Sequence, residues 1–382
     1  MIYLDNAATT PLAPEVLDAM RPFLEQEFGN ASSVYQLGSR ARVAIEAARE
    51  TVARAINAEP REIVFTSGGT ESDNAAIKGA IFKQYAEHND WNKLKIVTSR
   101  AEHLAVLEPV EWFGKLGAEV TYVPVGPFGH SLFDSDQITC DTSLVPLMMI
   151  NNETGAINPV AEIANAVKAK SKAIMHTDAV QALGKMRIDV KVLGVDMLSL
   201  SAHKIHGPKG IGALYIKSGT PWEPLLHGGS QERNRRGGTE AVALAVGFAE
   251  AVKIASGYMD GVDAVGLLRK DLLNKLAGIP EIVLNSATDE TSVDSIVNFS
   301  FIPEVLARLD ADALIIRFDL EGIAVSNGSA CTSGSQQPSH VLLAMGRSKE
   351  VASKSVRVSF SRYNTEEDID RLIDVIGNII GN

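Results

Sequence analysis

Lys204 stands in Ser201-Ala202-His203-Lys204-Ile205-His206-Gly207-Pro208-Lys209-Gly210, directly after the run 197–201, which reads as a strand. A lysine at the ligand edge of a sheet, beside His and Ser, can have its pKa lowered and form a Schiff base with an aldehyde. The same residues also read as an exposed basic loop, the usual fate of lysine. A metal site built on His203 and His206 fits less well, because the motif holds no acidic or cysteine partner. Cys331 lies in Ser326-Asn327-Gly328-Ser329-Ala330-Cys331-Thr332-Ser333-Gly334-Ser335. Free cysteine is usually a small buried hydrophobe. Among Gly, Ser and Thr it is instead expected to be exposed, which suits a nucleophile that must travel. An incidental surface thiol is the alternative, and Cys140 fits that description better.

Two further motifs carry chemistry. Ser67-Gly68-Gly69-Thr70-Glu71-Ser72 joins an expected strand to an expected helix through 74–82. Glycines admit a ligand close to the backbone, and a helix N-terminus offers free N–H groups to a phosphate. A tight strand-to-helix turn with a Ser or Thr cap would look the same. No Gly-Lys-Ser/Thr follows, so it is not a Walker loop. In His176-Thr177-Asp178-Ala179-Val180-Gln181, Asp178 either holds a protonated heterocyclic nitrogen or caps a helix. A lysine for an imine, an aspartate for a ring nitrogen and a glycine turn for a phosphate together describe a pyridoxal phosphate site.

Positioning such a set takes a sheet whose strand ends converge. Candidate strands are 62–66, 95–98, 119–123, 144–150, 173–178, 197–201 and 212–216, and helical patterns lie between them. In 41–58, Ile45, Ala48, Val52 and Ile56 recur at helical spacing. The alternation predicts an α/β domain with a mostly parallel sheet, and ligands of such sheets bind beyond the carboxyl ends of the strands. One conflict stands: Pro146 falls inside an expected strand, which a central strand should avoid. After about residue 255 the texture changes, with Gly257, Gly261 and Gly266 punctuating a boundary, shorter strands at 295–301 and 355–361, and an amphipathic helix over 366–380. This tail predicts a smaller α+β domain.

The chain has 382 residues with 36 Lys and Arg against 47 Asp and Glu, a formal charge of −11. That length suits about two domains. The acidic balance argues against nucleic acid or an anionic membrane as the main partner. Two cysteines point to a reducing compartment. No basic region followed by an apolar stretch opens the chain, and the longest apolar runs, such as 241–249, fall short of the roughly 18 residues of a membrane span. A cytoplasmic protein is expected.

From Tyr3-Leu4-Asp5-Asn6-Ala7-Ala8-Thr9-Thr10-Pro11 onward the chain resembles the cysteine desulfurases of the class V aminotransferase family, in their NifS/IscS-like group with the longer cysteine loop. Further matches are Phe28-Gly29-Asn30, 65–74, Ala101-Glu102-His103, Asn151-Asn152-Glu153-Thr154-Gly155, 178–184, 201–212, 231–240, 328–333 and 356–362, so the resemblance spans nearly the whole chain. It implies a fold-type I pyridoxal-phosphate-dependent transferase. A seven-stranded, mostly parallel large domain would cover 15–255. A smaller α+β domain would comprise 1–14 and 256–382 and carry the cysteine loop.

The resemblance also implies roles. Lys204 would form the Schiff base and later move the substrate Cα proton. Asp178 would pair with the pyridinium nitrogen, Gln181 would bond the phenolic oxygen, and His103 would stack on the ring and act as acid and base. Asn152 would contact ring or substrate. Gly69, Thr70, Ser201 and His203 would hold the phosphate, joined by Thr239 from the neighbouring subunit of a homodimer. Arg357 would grip the substrate carboxylate, with Asn30 as a further substrate contact. Cys331 would take sulfur from L-cysteine as a persulfide, leaving L-alanine, and pass it to an acceptor protein such as an iron–sulfur scaffold; it could also serve as a transient cluster ligand. Two residues depart from the pattern, Tyr35 where His is usual and Ala241 where Asn is usual. A selenocysteine lyase or other class V aminotransferase, and a catalytically idle docking partner, are the competing readings. Cys331 speaks against a plain aminotransferase, and intact Lys204, His103, Asp178 and Cys331 speak against an idle protein.

Overall fold

The computed structural model describes residues 1–259, 263–328 and 337–381. Seven strands form the central sheet: β1 (Ile63–Thr66), β2 (Lys95–Ser99), β3 (Glu119–Val123), β4 (Thr142–Pro146), β5 (Ile174–Asp178), β6 (Met197–Ser201) and β7 (Gly212–Ile216). Their order is β1-β7-β6-β5-β4-β2-β3. Only β7 runs against its neighbours, so β1 to β6 all deliver their carboxyl ends to one edge, and the sheet is mostly parallel as expected.

Strand side chains split by parity. Val64, Leu144, Ile174, Met197 and Leu214 pack with Ile77, Ile81, Val110 and Phe113 of the helices Gly69–His88 and Leu104–Leu116. Their neighbours Phe65, Val145, Met175, Leu198 and Ala213 pack on the other face with Ile45, Val52, Ile163 and Phe248. A sheet covered on both faces needs such continuously apolar strands rather than alternating ones, and β4 to β7 are buried throughout.

The expected strand 144–150 is corrected to Thr142–Pro146. Its ladder with β2 ends at the pair Ile96 and Leu144, so nothing on that side asks Pro146 for an N–H, and the strand tolerates it. Beyond it Leu147 and Met149 still donate to the carbonyls of His176 and Asp178.

The helix Val242–Met259 is, by length and composition, apolar enough to cross a membrane. It instead contributes Ala245, Phe248, Ala251, Val252 and Ala255 to the core. Gly257 and Gly266, expected to mark a boundary, lie inside the helices Val242–Met259 and Ala264–Ala277; Gly261 lies outside the described residues.

A second, antiparallel sheet comprises β8 (Ile282–Leu284), β9 (Ile296–Phe301) and β10 (Val356–Ser359), ordered β10-β9-β8. Its core joins Phe299 and Val358 to Leu272, Phe318, Leu372 and Ile376 from the helices Ala264–Ala277, Ala311–Leu320 and Glu366–Gly381. The segment at residues 2–10 ties the two sheets together. Ile2–Tyr3 pairs in parallel with Ile323–Ala324, Asn6 Nδ2 donates to Ser359 O at 2.8 Å, and Thr10 N donates to His203 O at 3.0 Å.

Candidate active site

The carboxyl edge of the large sheet opens into a cavity of about 650 Å³. Its wall includes Gly69, Thr70, His103, Asn152, Asp178, Gln181, Ser201, His203, Lys204 and Arg357, all residues the sequence marks for the site. Asn30 and Thr239 are exposed and line no part of it within one chain; Asn30 instead accepts from Ser32 N–H at 2.9 Å. Cys331 lies outside the described residues. The chain on either side of it, at Gly328 and Gln337, lines the cavity.

Lys204 ends the 3-10 turn Ala202–Lys204 that follows β6. Its Nζ donates to the carbonyls of Ala7 at 2.6 Å and Ala8 at 2.7 Å. Burial, with Arg357 close by, lowers its pKa to about 8. Asp178 ends β5, and one of its oxygens accepts from Val180 N–H at 2.9 Å. Burial raises its pKa to about 6, opposed by that hydrogen bond and by Lys204. Two more buried carboxyls sit nearby. Asp73 and Glu102 are pushed well above the ordinary range, first by burial, and the charge on Asp178 adds to the rise in both. Of the three, Asp178 is the one that carries charge most readily.

His103 caps the helix Leu104–Leu116, its Nδ1 accepting from Ala105 N–H at 3.1 Å. That bond leaves Nε2 as the protonated nitrogen of the neutral ring. Burial, then Lys204, holds its pKa at about 4, so the ring is neutral near pH 7. Arg357, 3% exposed, donates from one Nη to Asn152 O and from the other to Asp5 Oδ1, each at 2.8 Å. Its Nε is buried without a partner. His203 Nδ1 meets Thr9 Oγ1 at 3.1 Å and His206 Nδ1 meets Pro11 O at 3.0 Å, so both imidazoles help to hold the N-terminal segment.

These residues fit a pyridoxal phosphate. Ser201 lines the cavity with its Oγ buried and unpartnered. Gly69 N-terminates the helix Gly69–His88, and a Cβ there would lie 2.8 Å from Val180 Cγ2. Glycine lets that helix start press against the turn after β5, where a phosphate can use its N–H groups.

Several cavity residues carry no assigned role in the sequence reading: Asp5, Ala7, Ala8, Glu153 and His340. The stretches around the first four belong to the family match, which signals importance without chemistry. His340 had only its residue type to mark it. Its Nε2 bonds Glu102 O at 2.9 Å, while Ser339 Oγ bonds the buried Glu153 carboxyl.

The family model for class V aminotransferases matches residues 2–372. The cysteine desulfurase IscS of Dictyoglomus turgidum is 45% identical over 385 residues, covering 99% of this chain and 94% of that protein. The cysteine desulfurase IscS of Methanosarcina thermophila is 44% identical, covering 99% and 92%. Among solved structures, a NifS-like protein superimposes with a TM-score of 0.90 at 36% identity, covering 100% of this chain and 99% of that one. SspA in complex with cysteine superimposes with a TM-score of 0.81 at 35% identity, covering 96% and 100%.

Proposed function

The chain belongs to the class V aminotransferase family, and from that premise we propose that it is a pyridoxal-phosphate-dependent cysteine desulfurase. It converts L-cysteine to L-alanine and passes the sulfur through a persulfide on Cys331. One observation carries this reading: Lys204 shares its cavity with both described ends of the segment that holds Cys331.

When bound, pyridoxal phosphate supplies a sink for the electron pair left when the substrate Cα–H bond breaks. Lys204 would hold the cofactor and, once a free amine, would take that proton. Asp178 pairs with the ring nitrogen, where a cation compensates its buried charge. Gln181 would donate to the ring oxygen, and neutral His103 would lie against the ring and move protons. Gly69, Thr70, Ser201 and His203 bind the phosphate with the partner subunit's Thr239; the exposure of Thr239 in one chain suits a reach across a homodimer. Arg357 would grip the substrate carboxylate, the task a planar guanidinium suits, and Asn152 would contact ring or substrate, whereas Asn30 lines no part of the cavity within one chain. The Cys331 thiolate attacks the substrate sulfur, the Cβ–S bond breaks, and the three-carbon product gains a proton and leaves as L-alanine. The persulfide then passes to an acceptor such as an iron–sulfur scaffold, in the cytoplasm. The same reading divides the chain into 15–255 and 1–14 with 256–382; the second sheet has an apolar cluster of its own, while Ala7, Ala13, Val293 and Ile296 pack with the large one.

The test compares the protein with Cys331→Ser. Both are expected to be yellow with pyridoxal phosphate, and only the unsubstituted protein should form alanine and persulfide from L-cysteine. A yellow protein that makes no alanine would overturn the desulfurase reading and direct attention to selenocysteine and amino-group transfer. A protein that takes up no cofactor would overturn the role of Lys204.

A further inference from the structure

Behind Lys204 lies a second cavity, of about 380 Å³, whose wall Lys204 shares with Lys185. Lys185 has no place in the proposed reaction. Its Nζ donates to Gln181 Oε1, while Gln181 Nε2 donates to Ala7 O at 2.9 Å. Gln181 is 4% exposed, so an unmet amide group there is costly. Turning the amide over would set its oxygen against the Ala7 carbonyl and its NH₂ against the lysine amine. An amide nitrogen carries two protons. With one on Ala7, the other is left for the first cavity, which Gln181 also lines.

We propose that Lys185 is a positioning residue: by donating to Gln181 Oε1 it locks that amide with its nitrogen toward Ala7 and the cofactor, so that the ring oxygen always meets a donor. The proposal rests on the reading of the site as a pyridoxal phosphate enzyme. The ionisable groups lining the cavity around Lys185 are Arg187, Lys204, His206, Tyr258, Asp263, Asp294 and Arg362. Among the described residues none of its carboxylates lies within ion-pair distance of Lys185, so the Gln181 amide is the acceptor that meets the amine. Burial, then Lys204 and Arg357, bring its pKa to about 7; the amine keeps N–H bonds to donate on either side of that value, so the lock does not depend on its charge.

The test uses the full-length protein with pyridoxal phosphate and reads the pH midpoint of the cofactor's visible band and the Kd for the cofactor. A donor to the ring oxygen competes with the proton that titrates there, so weakening it raises the midpoint. Lys185→Met is expected to raise the midpoint by about half a pH unit or more and the Kd about threefold or more, and Lys185→Arg to restore both. In a Gln181→Leu background, adding Lys185→Met should move neither. An unchanged midpoint and Kd in Lys185→Met, or an undiminished shift without Gln181, would overturn the proposal. If Lys185→Met does not fold, Lys185→Gln takes its place with smaller shifts of the same sign. An unsubstituted protein with no visible band would overturn the site reading itself, a result distinct from any of these.

Discussion

On the proposed reading of the site, replacing Arg357 with Lys separates recognition of the substrate carboxylate from everything else the site does. The guanidinium has one Nη on Asn152 O and the other on Asp5 Oδ1, with Nε buried and unpartnered. The protein thus fixes the plane of the fork and leaves donors over for a substrate carboxylate. Lysine retains the charge and can keep Asp5 paired, but it loses the fork. One charge-assisted hydrogen bond is worth about 1.5–3 kcal/mol, so kcat/KM for L-cysteine should fall about 10- to 150-fold at 1.36 kcal/mol per decade. Cysteamine, which is cysteine without its carboxylate, supplies the control. Its kcat/KM should be nearly the same in the two proteins, and the visible band should persist. The assay is steady-state loss of sulfur from each substrate, read as persulfide or sulfide formed. If Arg357→Lys preferred cysteine over cysteamine as strongly as the unsubstituted protein does, the assignment of Arg357 would be wrong, whatever the absolute rates.

Uptake of pyridoxal phosphate by the cofactor-free protein should quicken with pH and then level off. Lys204, lowered to about 8, is about one-tenth neutral at pH 7 and mostly neutral by pH 9, and only the neutral amine attacks an aldehyde; a rate still climbing steeply at pH 10 would contradict the lowered value. Glu232→Gln should destabilise the fold. It removes the charge that meets Arg49, 3% exposed, at 2.6 and 2.8 Å, a loss of about 3–5 kcal/mol or roughly 4–6 °C in Tm for this length, and an unchanged melt would rule that out. Gly69→Ala should weaken cofactor binding by crowding Val180 Cγ2 at 2.8 Å, at about 1–3 kcal/mol or roughly 5- to 150-fold in Kd. Adding Val180→Ala should recover most of that affinity, and failure to do so would mean that close packing is not why glycine stands there.

Much of the site was legible because its residues are local to strand ends. Gly69, Asp178 and the Ser201-to-Lys204 run each follow a short apolar stretch, and such a stretch predicts both the strand and the edge where its successor lies. What stayed hidden depends on contacts between distant segments. The Ala7 and Ala8 carbonyls that meet Lys204 are backbone groups 197 and 196 positions away, and backbone groups carry no residue-type signal. Glu153 and His340 are chemically able residues whose position in the cavity only tertiary packing decides. The apolar run at 241–249 belongs to a longer helix, Val242–Met259, because Glu250 and Lys253 interrupt the run without ending the helix, whose length follows from the core it packs into. Pro146 read as a conflict because sequence alone does not say where a ladder stops.

The tie between residues 2–10 and the second sheet has a consequence for how the protein is made. Asp5 and Asn6 bond Arg357 and Ser359 across 352 and 353 positions. At about 5–20 residues per second of ribosomal synthesis, about 20–70 s separate the appearance of these partners. In the later part of that interval the large sheet, whose last strand ends at Ile216, can form while Arg357 does not yet exist. A chain interrupted before residue 357 would therefore hold Lys204 without Arg357, and so without one of the two influences that lower its pKa. On the proposed reading, the selectivity of the site and part of the reactivity of its lysine arrive together, with the last part of the fold.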